Sequence, residues 1–385
     1  MEKRKKILFV TSGLTHGGVN KSLQNLLGVY DRDNCDIDIY SIYRTGPYNK
    51  IFKDESLLDP IPFSPCSSLF CHSKKKYGKQ KLKLIDFTTK INIHFFAKRY
   101  IEKVGKRLSD NNYDVVVAFQ EGFTTLFASE IKAKKHIAWI HCDYSRYISN
   151  AKKDESWFYK KYDSIVTVSE YTADVFKSLV PSVAEKVVAI HNIMDDKTIL
   201  KLGEEHISDE RFKDDRFTVI SIGRMDPVKR FSSIPSIAAE LKNRGVVFRW
   251  YVIGDGGSDK EVLIKEIKDK NVGDEVILLG AKNNPYPYIN RSKILACVSS
   301  SEACPNVVNE AKILHVPVVV TDFPSAKELI VDCENGFIRP INEIYKIIVK
   351  LYSDNAFYKT IKKNCLKYRF INKHILEKIY NLING

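Results

Sequence analysis

Short apolar runs rich in β-branched and aromatic residues recur along this chain, each followed by a turn and a helical pattern. One set lies at 6–10, 37–42, 115–119, 136–140, 164–168 and 187–190. After a polar gap a second set follows at 217–222, 248–253, 276–279, 294–298 and 316–320. The runs are largely unbroken rather than alternating, which implies strands buried on both faces, as in a parallel sheet. Strand–helix alternation in two sets implies an α/β chain of two doubly wound domains. The expected division is 1–198 and 199–364. The gap at about 195–215, rich in Lys, Glu and Asp, reads as the linker. The stretch 361–385 reads as one or two amphipathic helices, the last of which, about 365–385, is expected to pack back on the first domain. Region 45–80, with Pro47, Pro60, Pro62, Pro65 and a lysine run, reads as a long irregular excursion.

Ligands of open α/β sheets bind beyond the carboxyl ends of the strands, so the residues after each run carry the chemistry. The most informative stretch is Ser299-Ser-Ser-Glu302-Ala-Cys-Pro305-Asn-Val-Val-Asn-Glu310-Ala, with two carboxylates eight positions apart around a proline. Pro305 suits a first helical turn, where a missing N–H costs nothing. The N–H groups of Asn306 and Val307 then point out of the helix start as a ready anion site. Glu302 lies in the loop before that site, and Glu310 lies more than a turn inside the helix. A phosphate between them, with hydroxyl-rich groups on either side, satisfies every part. That suggests a nucleotide sugar.

Other loops add candidates. Gly17 and Gly18 after the first run let a backbone approach a ligand closely. They do not match GxGxxG, and a plain strand-to-helix turn is the alternative. His141 and Asp143 stand at another strand end; His141 can hydrogen-bond a sugar hydroxyl and Asp143 can take an acceptor proton, or the histidine is structural. In Gly223-Arg224-Met-Asp-Pro-Val-Lys229 the glycine makes the turn, and Arg224 and Lys229 can converge on a diphosphate. Surface charge at a helix start is the alternative, weakened because cations there are disfavoured. Gly254 opens another glycine turn, and backbone groups near Ala281 and Lys282 can read a base edge. Tyr286 and Tyr288 read as packing residues where a helix begins at Pro285.

The chain has 385 residues, 44% of them hydrophobic, enough for two ordinary cores. Its eight cysteines show no CxxC pairing and several sit in apolar runs, so they read as reduced and intracellular. No apolar run is long enough for a membrane span, and the protein is expected to be soluble or peripheral. The net charge is +14, and residues 71–110 alone carry twelve Lys/Arg against three acids. Such a cluster can meet nucleic acid or the anionic lipids of a cytoplasmic leaflet, or can be a solvated helix face.

Taken together, the order of these elements resembles glycosyltransferase family 4, the large retaining family of GT-B fold, in which two Rossmann-like domains face a central cleft. The resemblance covers nearly the whole chain, strongest over 217–337 and weakest over 45–110. The family signature, two glutamates separated by seven residues, is reproduced by Glu302 and Glu310. It is followed, as in the family, by Pro317-Val-Val-Val-Thr321-Asp322, by Glu328 and by Asn335-Gly336-Phe337. Gly223-Arg224 with Lys229 matches the diphosphate-clamping element. Gly17-Gly18 matches the glycine loop of the acceptor domain, and His141 the histidine of its active site. The stretch Gly280-Ala-Lys-Asn-Asn-Pro285-Tyr286 is similar to members acting on bacterial surface polysaccharides with UDP-sugars. Two positions depart from the family pattern, Ala303 and Ser325, where glycine is usual.

The resemblance implies roles. Glu302 contacts donor-sugar hydroxyls, and Glu310 binds the ribose hydroxyls. Arg224, Lys229 and the helix-start N–H groups hold the diphosphate, and His141 sits near the reacting sugar. It implies no metal and no cofactor, since Arg and Lys replace a metal's charge. The implied activity is retaining transfer of a hexose or N-acetylhexosamine from a UDP-sugar to a hydroxyl of a lipid-linked saccharide, in capsule, lipopolysaccharide or exopolysaccharide synthesis. The implied location is the cytoplasm, peripheral on the inner face of the plasma membrane, gripped through Lys74–Arg107. Alternatives are a sugar-nucleotide epimerase or a phosphorylase on the same scaffold, or a nucleic-acid-binding protein. The last lacks interleaved aromatics on a recognisable module.

Overall fold

The computed structural model describes residues 4–14, 17–33, 35–43, 56–57, 101–151, 156–212 and 216–385. Two compact units emerge. One comprises 1–168, 173–190 and 379–385; the other comprises 169–172 and 191–378.

The first unit is built on a parallel sheet of β1 (Lys5–Gly13), β2 (Cys35–Tyr43), β3 (Ser56–Leu57), β4 (Tyr113–Ala118), β5 (Ala133–Ile140), β6 (Ser164–Thr167) and β7 (Val187–Ala189). Their spatial order is β3-β2-β1-β4-β5-β6-β7, so the order reverses between β1 and β4. Ile7 to Val10 pair with Val115 to Ala118 across that junction. Leu8, Val10, Val116 and Ala118 pack on Phe127, Tyr144 and Phe176, all buried.

The second sheet contains β8 (Phe217–Ile222), β9 (Phe248–Ile253), β10 (Val276–Gly280), β11 (Ile294–Cys297), β12 (Val318–Thr321) and β13 (Gly336–Arg339). Its order is β10-β9-β8-β11-β12-β13, with the reversal between β8 and β11. Val219, Trp250, Val252, Ala296 and Val298 share its core with Leu263 and Ile348. Both sheets are wholly parallel, as unbroken apolar runs require.

Three features differ from the sequence reading. β3 and β13 were not expected as strands. β3 is two residues long, and β13 opens on glycine, a residue depleted in strands. The stretch expected as the linker belongs to the second unit and holds a helix, Asp196–Gly203. Asp195 caps it by accepting Thr198 N–H at 3.1 Å, and Ile199 is buried. Its charge density marked solvent exposure, not absence of structure.

Two helices, Asn355–Lys367 and Lys373–Asn384, end the described chain. Ile379–Gly385 belongs to the first unit. Tyr380 packs on Tyr30 at 4.9 Å and its hydroxyl accepts Asp31 N–H at 2.8 Å; Lys5 Nζ donates to the Ile383 carbonyl at 3.1 Å.

Apart from β3, the excursion at 45–80 lies outside the described residues, as does most of the basic 71–110 segment. Within them, helical residues 101–109 expose Lys103, Lys106 and Arg107 and bury Val104 and Leu108. Among the described residues no helix is long and apolar enough to cross a membrane. Cys35, Cys142, Cys297, Cys304, Cys333 and Cys365 are free thiols; Cys66 and Cys71 are not among the described residues.

Candidate active site

The second unit gathers most of the candidates at the carboxyl ends of β8, β9 and β11, around its order reversal. After β8, Gly223 turns the chain and a single 3₁₀ turn, Pro227–Lys229, follows. After β11, Ser300 N–H donates to the Val228 carbonyl at 2.7 Å, which ties the two loops together. That tie brings Lys229 to Glu302: Lys229 Nζ donates to Glu302 Oε1 at 2.6 Å. The same oxygen accepts Ser299 Oγ–H at 2.5 Å. The Glu302 side chain is 11% exposed and that of Lys229 27%. Burial alone pushes the Lys229 ammonium down; the Glu302 carboxylate outweighs it, and the net shift is upward. Arg224, 70% exposed, pairs with Asp226.

Gly254 is a steric requirement of this corner. Its φ is +146°, and a Cβ there would lie 1.9 Å from the Gly223 carbonyl oxygen. The β8 and β9 loops therefore pack backbone to backbone, with Gly223 N–H on Ile253 O at 3.0 Å and Gly254 N–H on Gly280 O at 3.0 Å.

The helix after Glu302 spans Asn306–Ile313, with Pro305 at its N-cap in an extended conformation. Its first backbone bond runs from Val308 N–H to Pro305 O at 3.1 Å. The N–H groups of Asn306 and Val307 thus stand at the helix start, where no intrahelical acceptor exists. Asn192 braces this turn: its Nδ2 donates to the Cys304 carbonyl at 3.2 Å and to Asn306 Oδ1 at 2.9 Å. Glu310 is 6% exposed and accepts the Tyr286 hydroxyl at 3.2 Å. Tyr286 and Tyr288 are buried, as expected of packing residues.

Beyond β10, Lys282 donates to Asp209 Oδ2 at 2.7 Å. Hydrogen bonds from Arg211, and then from Lys282, hold that carboxyl well below the usual carboxylate range. Phe212 packs on Tyr251 and Tyr288, with ring centroids at 4.5 and 5.2 Å. The segment 209–212 thereby covers the strand ends next to Ala281 and Lys282. Glu328 accepts the N–H groups of Glu170 and Tyr171 and the His191 Nε2, each at 2.9 Å.

In the first unit, Gly17 is the N-cap of helix Gly18–Val29. Among the described residues nothing lies within 4 Å of a Cβ added at Gly17 or Gly18. Asn20 folds the loop back by donating to Gly13 O at 2.7 Å. Ser12 Oγ donates to Gln120 Oε1 at 2.5 Å, which links the carboxyl end of β1 to the loop after β4. His141 follows β5, its ring 4.7 Å from Phe119 and parallel to Trp139 at 6.3 Å. Its Nε2 is buried with no hydrogen-bond partner among the described residues. Burial pushes its pKa down to about 3, so the ring is neutral near pH 7. Asp143 Oδ1 accepts Ser145 N–H at 3.1 Å and Ser145 Oγ at 2.6 Å, at the start of helix Tyr144–Ala151.

Sequence reasoning missed Ser299, Asn192 and Asp209. A serine three residues before Glu302 was a legible signal; the other two reach the site only through the fold.

This fold and glycine-lined, cation-bearing site define a class, and the family models agree. Residues 16–198 match "Glycosyltransferase Family 4" and residues 203–367 match "Glycosyl transferases group 1". The chain belongs to glycosyltransferase family 4, and its architecture is GT-B. It is 28% identical over 211 residues to a Campylobacter jejuni N-acetylgalactosamine-N,N'-diacetylbacillosaminyl-diphospho-undecaprenol 4-alpha-N-acetylgalactosaminyltransferase, covering 54% of this chain and 55% of that protein. It is 23% identical over 302 residues to a Staphylococcus aureus poly(ribitol-phosphate) alpha-N-acetylglucosaminyltransferase, covering 74% of this chain and 58% of that one. The chain thus spans about half the length of the curated relatives it matches. Among solved structures, Anabaena HepE in complex with UDP and glucose superposes with a TM-score of 0.75 at 18% identity, covering 99% of this chain and 100% of that one.

Proposed function

We propose that this chain is a retaining, metal-independent glycosyltransferase. It moves a hexose or N-acetylhexosamine from a UDP-sugar to a hydroxyl of a lipid-linked saccharide during surface-polysaccharide synthesis. The observation that carries the reading is the Lys229–Glu302 pair at the β8/β11 reversal, beside a helix start that leads to Glu310. The activities named for the Campylobacter and Staphylococcus relatives support the acceptor class, and the UDP bound to HepE supports the nucleotide.

In this reading Glu310 holds the ribose hydroxyls, while the helix-start N–H groups, Lys229 and Arg224 hold the diphosphate. When the bond from anomeric carbon to β-phosphate oxygen breaks, its electron pair stays on that oxygen, and the cations meet the new charge. The acceptor oxygen bonds to the anomeric carbon on the face the phosphate leaves and passes its proton to the departing phosphate. Configuration is retained. Glu302 holds sugar hydroxyls rather than acting as nucleophile: its Oε1 already accepts two short hydrogen bonds, which withdraw electron density from it. His141 is neutral near pH 7, and its buried Nε2 has no hydrogen-bond partner among the described residues; a sugar hydroxyl is the partner proposed for it.

The test is a thermal-shift and calorimetric screen of UDP, GDP, ADP and their sugars. Selective stabilisation by UDP and one UDP-sugar is the expected outcome. Indifference to all of them overturns the reading.

A further inference from the structure

Ser325 occupies a position where the family pattern has glycine, and the structure gives its hydroxyl a single evident task. The residue is fully buried, with an ordinary right-handed backbone (φ −78°, ψ −1°) at the N-cap of the short helix Ala326–Leu329. Its Oγ donates to the Glu302 carbonyl at 2.8 Å. Four residues earlier, Thr321 Oγ1 donates to the carbonyls of Ser299 and of Cys297, the latter at 3.3 Å. Two hydroxyls of one connection therefore hold the Glu302 loop by its backbone at both ends. Ser299 Oγ and Lys229 hold the Glu302 carboxylate from within. Ala303, the other departure, is buried and is not among the residues of positive φ, so this loop has no glycine hinge where the family pattern has one.

We infer that Ser325 is a positioning residue that fixes the Glu302 loop through the Glu302 carbonyl and thereby sets how strictly this chain discriminates among donor sugars carried by one nucleotide. The inference rests on the nucleotide-sugar reading above. Ser325 has no exposed surface of its own, so it acts on a donor only through Glu302. Glycine cannot supply this tether. Small misplacements of a group that orients a reacting ring cost large factors in rate.

The experiment uses the full chain and its Ser325→Ala, Ser325→Gly and Ser325→Thr variants. UDP affinity is measured by calorimetry. UDP release is measured from UDP-glucose, UDP-galactose, UDP-N-acetylglucosamine and UDP-N-acetylgalactosamine. The Ala and Gly variants are expected to hold UDP within about twofold of the wild type. Their kcat falls about tenfold, and their preference for the best donor over its C4 epimer narrows about fivefold or more. Ser325→Thr, which keeps the hydroxyl, retains the wild-type preference. Glycine is compatible with this backbone, so the Gly variant carries the test if the Ala variant does not fold. The inference is overturned if preference and kcat are unchanged, or if UDP affinity falls in step with turnover. If the wild type neither binds UDP nor releases it from any of the four sugars, the donor reading itself fails and this inference with it.

Discussion

Lys229 Nζ sits 2.6 Å from Glu302 Oε1, so the cation proposed for the diphosphate is paired with the carboxylate proposed for the sugar. Each partner keeps the other tolerable in a largely desolvated corner. Lys229→Ala leaves Glu302 without its cation and is expected to cost about 2 kcal/mol of stability. That is below the ~3–5 kcal/mol of a fully buried pair, because Lys229 keeps some exposure. Glu302→Gln keeps a similar shape and is expected to hold UDP within about threefold while turnover falls about 100-fold. Urea denaturation and initial rates check both. A Lys229→Ala chain as stable as the wild type contradicts the pairing.

Glu310 and Tyr286 form the second testable unit. Glu310→Ala is expected to weaken UDP at least tenfold, about 1.4 kcal/mol. Tyr286→Phe removes the 3.2 Å hydroxyl contact and is expected to cost about 0.5–1 kcal/mol, roughly two- to fivefold in affinity. Calorimetry with UDP alone ranks the two. Equal losses show that the tyrosine does more than orient the carboxylate.

The His141 imidazole, whose Nε2 is buried, makes stability depend on pH. Burial lowers its folded pKa to about 3, against about 6.5 in the unfolded chain. Its stabilising contribution is therefore complete above about pH 6.5 and is lost progressively as pH falls toward 3, since the unfolded state alone binds the proton. Between pH 7 and 5 this amounts to on the order of 1–2 kcal/mol. His141→Gln is expected to flatten the fall in unfolding free energy over that range. A parallel fall in both proteins contradicts the assignment.

Glycine substitutions separate steric from ligand-facing positions. Gly254→Ala forces a Cβ into the Gly223 carbonyl and is expected to cost on the order of 3 kcal/mol or more. Gly17→Ala and Gly18→Ala meet nothing within 4 Å among the described residues, so stability is expected to change by less than about 1 kcal/mol. If their turnover nevertheless drops at an unchanged melting temperature, these glycines make room for a ligand.

Membrane association is an expectation from charge. Helical residues 101–109 expose Lys103, Lys106 and Arg107, which continue the basic stretch from residue 71. Co-sedimentation with anionic vesicles is expected at low salt, with loss toward 0.5 M salt and none with neutral vesicles. Absence from anionic vesicles at low salt removes the membrane half of the proposal.

The fold was largely legible because parallel strands buried on both faces need unbroken apolar runs, as in 217–222 and 248–253, and few other structures do. β3 and β13 were not, being too short or too glycine-marked to carry a pattern. The glutamate pair was legible from spacing along one loop and one helix. Its supports were not. Asn192 meets Cys304 across 112 positions and Lys229 meets Glu302 across 73, distances over which sequence carries no local signal. The Arg224–Asp226 pair lies within one turn, yet the sequence reading of Arg224 as a diphosphate contact or surface charge does not include it.

Tyr380 accepts the Asp31 N–H from 349 positions away, and both belong to the first unit. That unit is therefore discontinuous in the order of synthesis. When residue 378 has been added, the strands β1 to β7 have all been made but still lack the helical turn that covers Tyr30. The second unit has all but four of its residues in one continuous stretch and can close on its own first. Docking of Ile379–Gly385 is then the step that covers Tyr30 and the amino end of β1. Shortening the chain by these seven residues would leave the Tyr30 ring and the amino end of β1 uncovered, at a place distant in sequence from the cut.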